Sequence, residues 1–330
     1  MSHLQQEALT DAVRRETYKG ERRLIPVPMR WLAGLLSLMC CAFSIAKAQQ
    51  TNKSHHTSIQ TFRTDRAKSL AAPEGWLSLV GLEWLHEGPN TIGSGAENSL
   101  HLPPSAPAHL AVITQIGEGD HAQLKIAAPA EGFPADLRIN GTPASIGPIA
   151  NDAKLSFGTY TILVLTRGDR LGLRIKDLQA ETRTHFRGLN WFPVKEDFRI
   201  DATWIPYAEP HTVAISTIIG TTLHEKIPGA AEFTLNGKHI RLEPIVEEDK
   251  LFFILRDATS RTTTYEAARF LYTDLPSAGV ARKGVLTLDF NRLVNPPCAY
   301  TAFATCPLPP PQNRLKVAIP AGEKRYHDHE

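Results

Sequence analysis

Asp289, Cys298 and Glu323 are residue types that could carry a reaction, and all three fall in one C-terminal stretch, Leu288 to Tyr326: "LDFNRLVNPPCAYTAFATCPLPPPQNRLKVAIPAGEKRY". Asp257 sits shortly before it, at the end of an apolar run. A cysteine thiolate is a nucleophile, with His185 or another histidine as its base, and paired carboxylates can divide general acid and base work as in glycoside hydrolysis. Each residue also has a structural use. Cys298 and Cys306 are close enough in sequence to join as a disulfide, which removes the thiolate. The carboxylates can pair with Arg256, Arg269, Arg292 and Arg314.

Binding is the other chemistry on offer. Arg269 presents a planar fork that matches a carboxylate or phosphate, and Tyr265 an apolar face with a polar tip. Asn291, Arg292 and Asn295 add amide and cationic groups, although asparagines near prolines and turns also stitch backbone, which is the reading preferred for Asn291 and Asn313. Prolines at 296, 297, 307 and 309–311 stiffen the stretch, so it loses little entropy on ordering and makes a platform for side chains. The expected product is a pocket wall with Asp289 at a strand end, Asn291 and Arg292 at its mouth, and Arg269 and Tyr265 from a neighbouring element.

His55-His56 and His327-x-His329 lack Cys or carboxylate companions at ligand spacing, so no metal site is expected. With no Gly-rich phosphate loop, nucleophile elbow or dinucleotide fingerprint, no cofactor is expected either, and "RGDR" is most simply a hairpin turn.

The elements that must position these groups read as strands. With 24 Pro and 22 Gly among 330 residues, turns are frequent. "HLAVITQIGEGDHAQLKIAA", "YTILVLTRGDRLGLRIKDL" and "EFTLNGKHIRLEPI" are alternating runs joined by turn residues, and Asn236-Gly237 is a strong hairpin signal. "KLFFILRDAT" is nearly all apolar, as a central strand would be. Ile59, Phe62 and Leu70 suggest a short helix over 58–70, stopped by Pro73 and Gly75. The expected fold is mainly β in two β-rich halves. A sandwich-like half spans 76–178, a sandwich or barrel-like half spans 179–330, and helix and linker occupy 49–75.

Residues 1–48 read as leader and secretory signal peptide: Arg30, an apolar run from Trp31 to Ile45, then Ala46-Lys47-Ala48 as an A-x-A cleavage site, with Met29 a plausible true start. The whole chain holds 36 basic and 34 acidic residues; the first 48 contain seven and four of these, which leaves 29 and 30. The apparent basicity thus belongs to the leader, and nothing in the remainder points to nucleic acid. Only Cys298 and Cys306 of the four cysteines remain, in what would be an oxidising compartment, where a disulfide is the default. The expectation is a periplasmic or secreted protein with no stable membrane span after cleavage.

Two resemblances bear on the fold. "NTIGSGAENSLHLPPSAPAHLAVI" and "INGTPASIGPIANDAKLSFGTYTILVL" are similar to the forkhead-associated β-sandwich, through the Ile-Gly pair, the Ser/His turn and the later Asn-Gly. That family reads phosphothreonine partly with an Arg directly after Ile-Gly. Here the position is Ser94, and Ser105 and His109 are out of step, so the resemblance implies a sandwich and not phosphopeptide binding. "GWLSLVGLEWLHEGPNTIGS", "RGDRLGLRIKD", "LRDATSRTTTYEAARFL" and "DFNRLVNPPCAY…TCPLPPPQNRL…AGEK" together resemble an uncharacterised bacterial and archaeal family, domain of unknown function 1684. Leu293-Val294 departs from the pattern, which bears on local packing. This resemblance implies no reaction. Three functions stay open: binding of a polar or anionic small molecule or glycan near the terminal motif, hydrolysis by carboxylates or Cys298 in the same place, or an envelope structural protein without a pocket.

Overall fold

A computed structural model describes residues 53–326. The expected signal peptide, its cleavage site after Ala48, and His327 and His329 lie outside the described residues. The chain divides into two compact units, Met1–His55 and His56–Glu330; of the first only 53–55, the opening of a helix, are described. Every described strand belongs to the second unit.

Helix α1 covers 53–71, slightly longer at both ends than its apolar spacing predicts, and buries Ile59 and Leu70. The chain reverses at Gly75, where a Cβ would stand 2.2 Å from the Leu70 carbonyl oxygen, so only glycine fits the return.

Eleven strands come next: β1 (Leu79–Trp84), β2 (Gly88–Gly93), β3 (Leu100–His101), β4 (Ala111–Ile116), β5 (Gln123–Ala127), β6 (Arg138–Ile139), β7 (Thr142–Pro143), β8 (Gly147–Ile149), β9 (Lys154–Phe157), β10 (Tyr160–Arg167) and β11 (Arg170–Asp177). They form two sheets, β1-β11-β10-β9-β6-β7 and β3-β2-β4-β5-β8. Alternation decides what lies between them. Ile113, Leu124, Ile126, Leu155, Ile162, Leu171, Leu173 and Ile175 form a single core, contributed by every second residue of their strands.

The second set is β12 (Arg199–Ser216), β13 (Thr222–Leu235), β14 (Lys238–Leu242), β15 (Ile245–Glu247), β16 (Lys250–Leu255), β17 (Arg269–Thr273) and β18 (Gly284–Asp289). These make an open four-stranded sheet, β14-β13-β12-β18, and a three-stranded sheet, β15-β16-β17; among the described residues there is no closed barrel, so of the two forms expected for this half the sheets remain open. Asn236 (φ 51°) and Gly237 (φ 73°) both take the left-handed conformation that a type I′ hairpin between β13 and β14 requires. Trp204, Phe233, Leu251, Phe253, Leu255, Leu271 and Phe290 fill the core between the two sheets.

β16 is buried from Leu251 to Leu255 because it is the middle strand of a sheet covered on both faces. Its odd positions, Leu251, Phe253 and Leu255, face the core just named. Phe252 and Ile254 face a second apolar cluster with Phe270, Val294, Ile215 and Cys306. That outer face leads to the candidate site. Leu293 and Val294 are both buried, Leu293 in the core between the sheets and Val294 in the outer cluster, and Val294 exchanges backbone hydrogen bonds with Phe270 at 2.9 and 3.0 Å.

Candidate functional site

Most of the polar residues picked out by sequence prove to be the stitching of the terminal stretch. Asn291 accepts from the Lys195 N–H (3.0 Å) and donates to the Lys195 carbonyl (2.9 Å) and to Asp289 (2.9 Å). Asn313 ties Glu243 to Ile254 in the same manner. Asp289 ends β18, accepts from the Asn291 N–H and stands 3.5 Å from Arg292 Nε. Arg292 in turn reaches Ser58 Oγ at 2.6 Å and covers the Phe62 ring, fastening α1 to the loop. Tyr265 donates its hydroxyl to the Cys298 carbonyl at 3.0 Å.

Arg269 is wholly buried. Its Nη1 donates to Asp257 (2.7 Å) and to the Ile319 carbonyl (2.9 Å), and its Nη2 to the Ala321 carbonyl. Period two explains the placement: on β17, Phe270 and Tyr272 point outward, and Arg269, Leu271 and Thr273 point the other way. Asp257 also accepts from Thr259 N–H and Oγ1, so its charge is fully occupied. Glu323, also buried, accepts from Asn295 Nδ2 (2.8 Å) and the Tyr300 hydroxyl, with Arg66 Nε at 3.8 Å. Burial pushes its carboxyl above the usual carboxylate range, against the pull of Arg66, Tyr300 and Asn295. Asp257, Asp289 and Glu323 are thus each held by a different set of donors.

Cys298 and Cys306 are free thiols, so the expected disulfide is not present in this structure. They nevertheless lie in contact: the Cys298 N–H donates to Cys306 Sγ at 3.2 Å. The Cys306 thiol hydrogen-bonds Cys298 and draws it below the usual thiol value against the effect of burial, while that same bond, then burial, pushes Cys306 up. Cys306 is placed by the tip of the β12–β13 hairpin, where Ile218 N–H meets its carbonyl at 2.9 Å and Leu308 N–H meets Ser216 at 2.8 Å.

These packing arrangements enclose a cavity of about 470 Å³, a size typical of small-molecule sites, which run from about 300 to 1,000 Å³. It opens where the first sandwich, α1, the β12–β13 hairpin and the three-stranded sheet meet. The terminal stretch supplies one wall through Asn295, Pro297, Thr305, Cys306 and Pro307. Phe252, Phe270 and Tyr272 supply an aromatic wall, with Phe252 stacked on Tyr272 at 4.4 Å and edge-on to Phe270 at 4.8 Å. Three guanidinium groups reach it: Arg66 from α1, Arg167 from the end of β10 and Arg174 from β11. Arg66 donates to the Asn295 carbonyl (2.9 Å) and Arg167 to Thr305 Oγ1 (3.3 Å), while Arg174 lies over the Trp76 ring at 5.0 Å. Glu225 and Glu247 line it from β13 and β15.

Of the site residues read from sequence, Asn295 and Cys306 line this cavity; Cys298 and Tyr265 stand behind the Cys306 wall. The arginines that do line it were missed. On β11, Arg174 and Lys176 alternate with core residues and therefore read as solvent-facing. Lys176 in fact donates to the Glu74 carbonyl and is nearly buried, because the segment after α1 covers that face. Among the described residues no group of His, Cys, Asp or Glu is placed to hold a metal ion, and no helix is long and apolar enough to cross a membrane.

Fold and site together define a β-sandwich protein whose C-terminal loop walls an arginine-lined cavity. The family model described as protein of unknown function (DUF1684) matches residues 184–324, and the chain belongs to that family. The match takes in the second set of strands and the terminal stretch. Curated proteins yield no match. The solution structure of an uncharacterized protein from Haloarcula marismortui is 30% identical over 44% of this chain and 81% of that one, with a TM-score of 0.38. The crystal structure of the Slr1951 protein from Synechocystis sp. is 18% identical over 28% and 82%, with a TM-score of 0.21.

Proposed function

We propose that this is an exported binding protein which takes a polar or anionic small molecule, glycan fragments included, into the cavity walled by its C-terminal stretch. The observation that carries the reading is the convergence of Arg66, Arg167 and Arg174 on one aromatic-walled cavity of about 470 Å³. Guanidinium groups offer paired N–H donors and fixed positive charge, which suit a polar or anionic ligand. Hydrolysis is the weaker reading, because each carboxylate named for it is tied into its own structural network. A plug without a cavity is disfavoured by the cavity itself.

Export has a consequence for the thiols. In an oxidising compartment Cys298 and Cys306 would join by exchange with a disulfide oxidant, which takes up the two electrons and two protons they release. The bond would lock the cavity wall without closing the cavity, since Cys306 already contacts Cys298.

The test is a thermal-shift panel of neutral sugars, carboxylates and phosphate esters on the wild type and on Leu223→Trp, which places an indole in the cavity. Stabilisation by at least one class, lost in Leu223→Trp, supports the reading. Stabilisation that persists in the variant places the ligand elsewhere.

A further inference from the structure

The cavity takes opposite charges from different parts of the fold. Arg167 comes from the first sandwich. Its Nε donates to Thr305 Oγ1 at 3.3 Å and its Nη1 to the Thr166 carbonyl at 2.8 Å, while Nη2 has no acceptor and is not sealed from solvent. Glu225 and Glu247 come from the second set of strands. Glu225 interrupts an apolar face. On β13 it alternates in step with Leu223 and Ile227, and across the hairpin Val213 stands opposite it and Ile215 opposite Leu223. Leu223, Val213 and Ile215 all pack into the outer apolar cluster. The Glu225 side chain is half-buried, lines the cavity, and has no ion pair or hydrogen bond among the described residues. Charges drawn from water ordinarily have a partner, and the cavity is where one can stand.

Glu247 and an aromatic face complete that side. On β15, Glu247 shares a face with Ile245, whose cross-strand row runs through Phe252 to Tyr272. Burial first, then the Glu247 carboxylate, push the Tyr272 hydroxyl above its usual value, so the ring stays neutral. Carboxylates beside a neutral aromatic face suit an ammonium group, through charge and through cation–π attraction.

Resting on the binding function proposed for this cavity, we infer that the ligand is a zwitterion, with an amine seated by Glu225, Glu247 and the Tyr272 ring and a carboxylate taken by Arg167 Nη2. The body between the two charges is apolar or aromatic, because Leu223, Phe252 and Phe270 line the space.

The experiment is calorimetry on the full chain with three probes of one shape. 4-(Aminomethyl)benzoate carries both charges across one ring, 4-methylbenzoate only the negative one, and 4-methylbenzylamine only the positive one. The zwitterion should bind at least tenfold more tightly than either of the others. Glu225→Gln keeps the shape and removes the charge; it should weaken the zwitterion at least tenfold and leave 4-methylbenzoate unchanged. Glu247→Gln should act in the same direction, and it serves if the first variant does not fold. A single-charge probe that binds as tightly as the zwitterion would overturn the inference, and loss of that binding in Leu223→Trp would leave the cavity reading standing. Zwitterion affinity unchanged in both folded glutamine variants would overturn it as well. Absence of binding by all three probes would overturn the inference, with the thermal-shift panel deciding the cavity reading separately.

Discussion

Arg269 Nη1 lies 2.7 Å from Asp257 Oδ2, and both side chains are completely shielded from solvent. A conspicuous arginine in the terminal region is thereby committed to the core, where it also clamps the backbone at Ile319 and Ala321.

Arg269→Ala should therefore destabilise the fold, by about 3–5 kcal/mol, because it leaves the Asp257 carboxylate buried without its counter-charge. Arg269→Lys should lose less, keeping a charge but not the paired donation. Chemical denaturation decides; an alanine variant within experimental error of wild type would show that Asp257 finds another cation.

Glu323 predicts a pH dependence. Its folded-state value is raised, so the native protein keeps a proton that the unfolded chain has already released. That contribution to stability is fully present below the usual carboxylate range and is lost as pH climbs through the raised value. Glu323→Gln cannot carry the charge, so the wild type should lose ground to this variant over the interval above the usual carboxylate range, where the raised value lies. Urea midpoints across that interval provide the check, and a wild type that gains on Glu323→Gln as pH rises would contradict it.

Legibility followed locality. The hairpins at Gly168 and Asn236-Gly237, helix α1 and the central position of β16 are written in short-range patterns, and the structure has all of them. The reading of Asn291 and Asn313 as backbone stitching likewise needs only nearby prolines and turns. The cavity is not local. It depends on which face of β11 is covered and by what, and the coverage comes from α1 and the segment after it, about a hundred residues away in sequence. Arg174 and Arg269 exchange the roles that pattern alone assigns them. Arg174 sits on the polar-looking face of an alternating strand and lines a cavity, and Arg269 begins an apolar strand and turns into the core. Pairing of Arg269 with Asp257, two residues past the end of β16, has no signature in a single sequence.

The thiols give a prediction with a stability readout. Oxidation of Cys298 and Cys306 should raise stability by about 2–3 kcal/mol on the loop-entropy estimate for so short a loop. Protein oxidised with glutathione disulfide should lose two hydrogens in intact mass and melt higher than the reduced form. A mixed disulfide with glutathione at Cys298 that is never resolved by Cys306 would show that the sulfurs cannot reach bonding geometry.

Export is tested at the N-terminus. Protein recovered from its native host should begin at Gln49, after cleavage following Ala48. Intact mass that retains the segment from Met29 would contradict cleavage at this site.

The central claim is that the cavity beside Arg174 and Trp76 is a binding site, and a crystal structure with the strongest stabiliser from the thermal-shift panel tests it most directly. The account predicts ligand density within hydrogen-bond reach of Arg167 and bounded by Phe252, Phe270 and the Cys306 wall. Density on any other surface of the protein, with this cavity holding water alone, would contradict it.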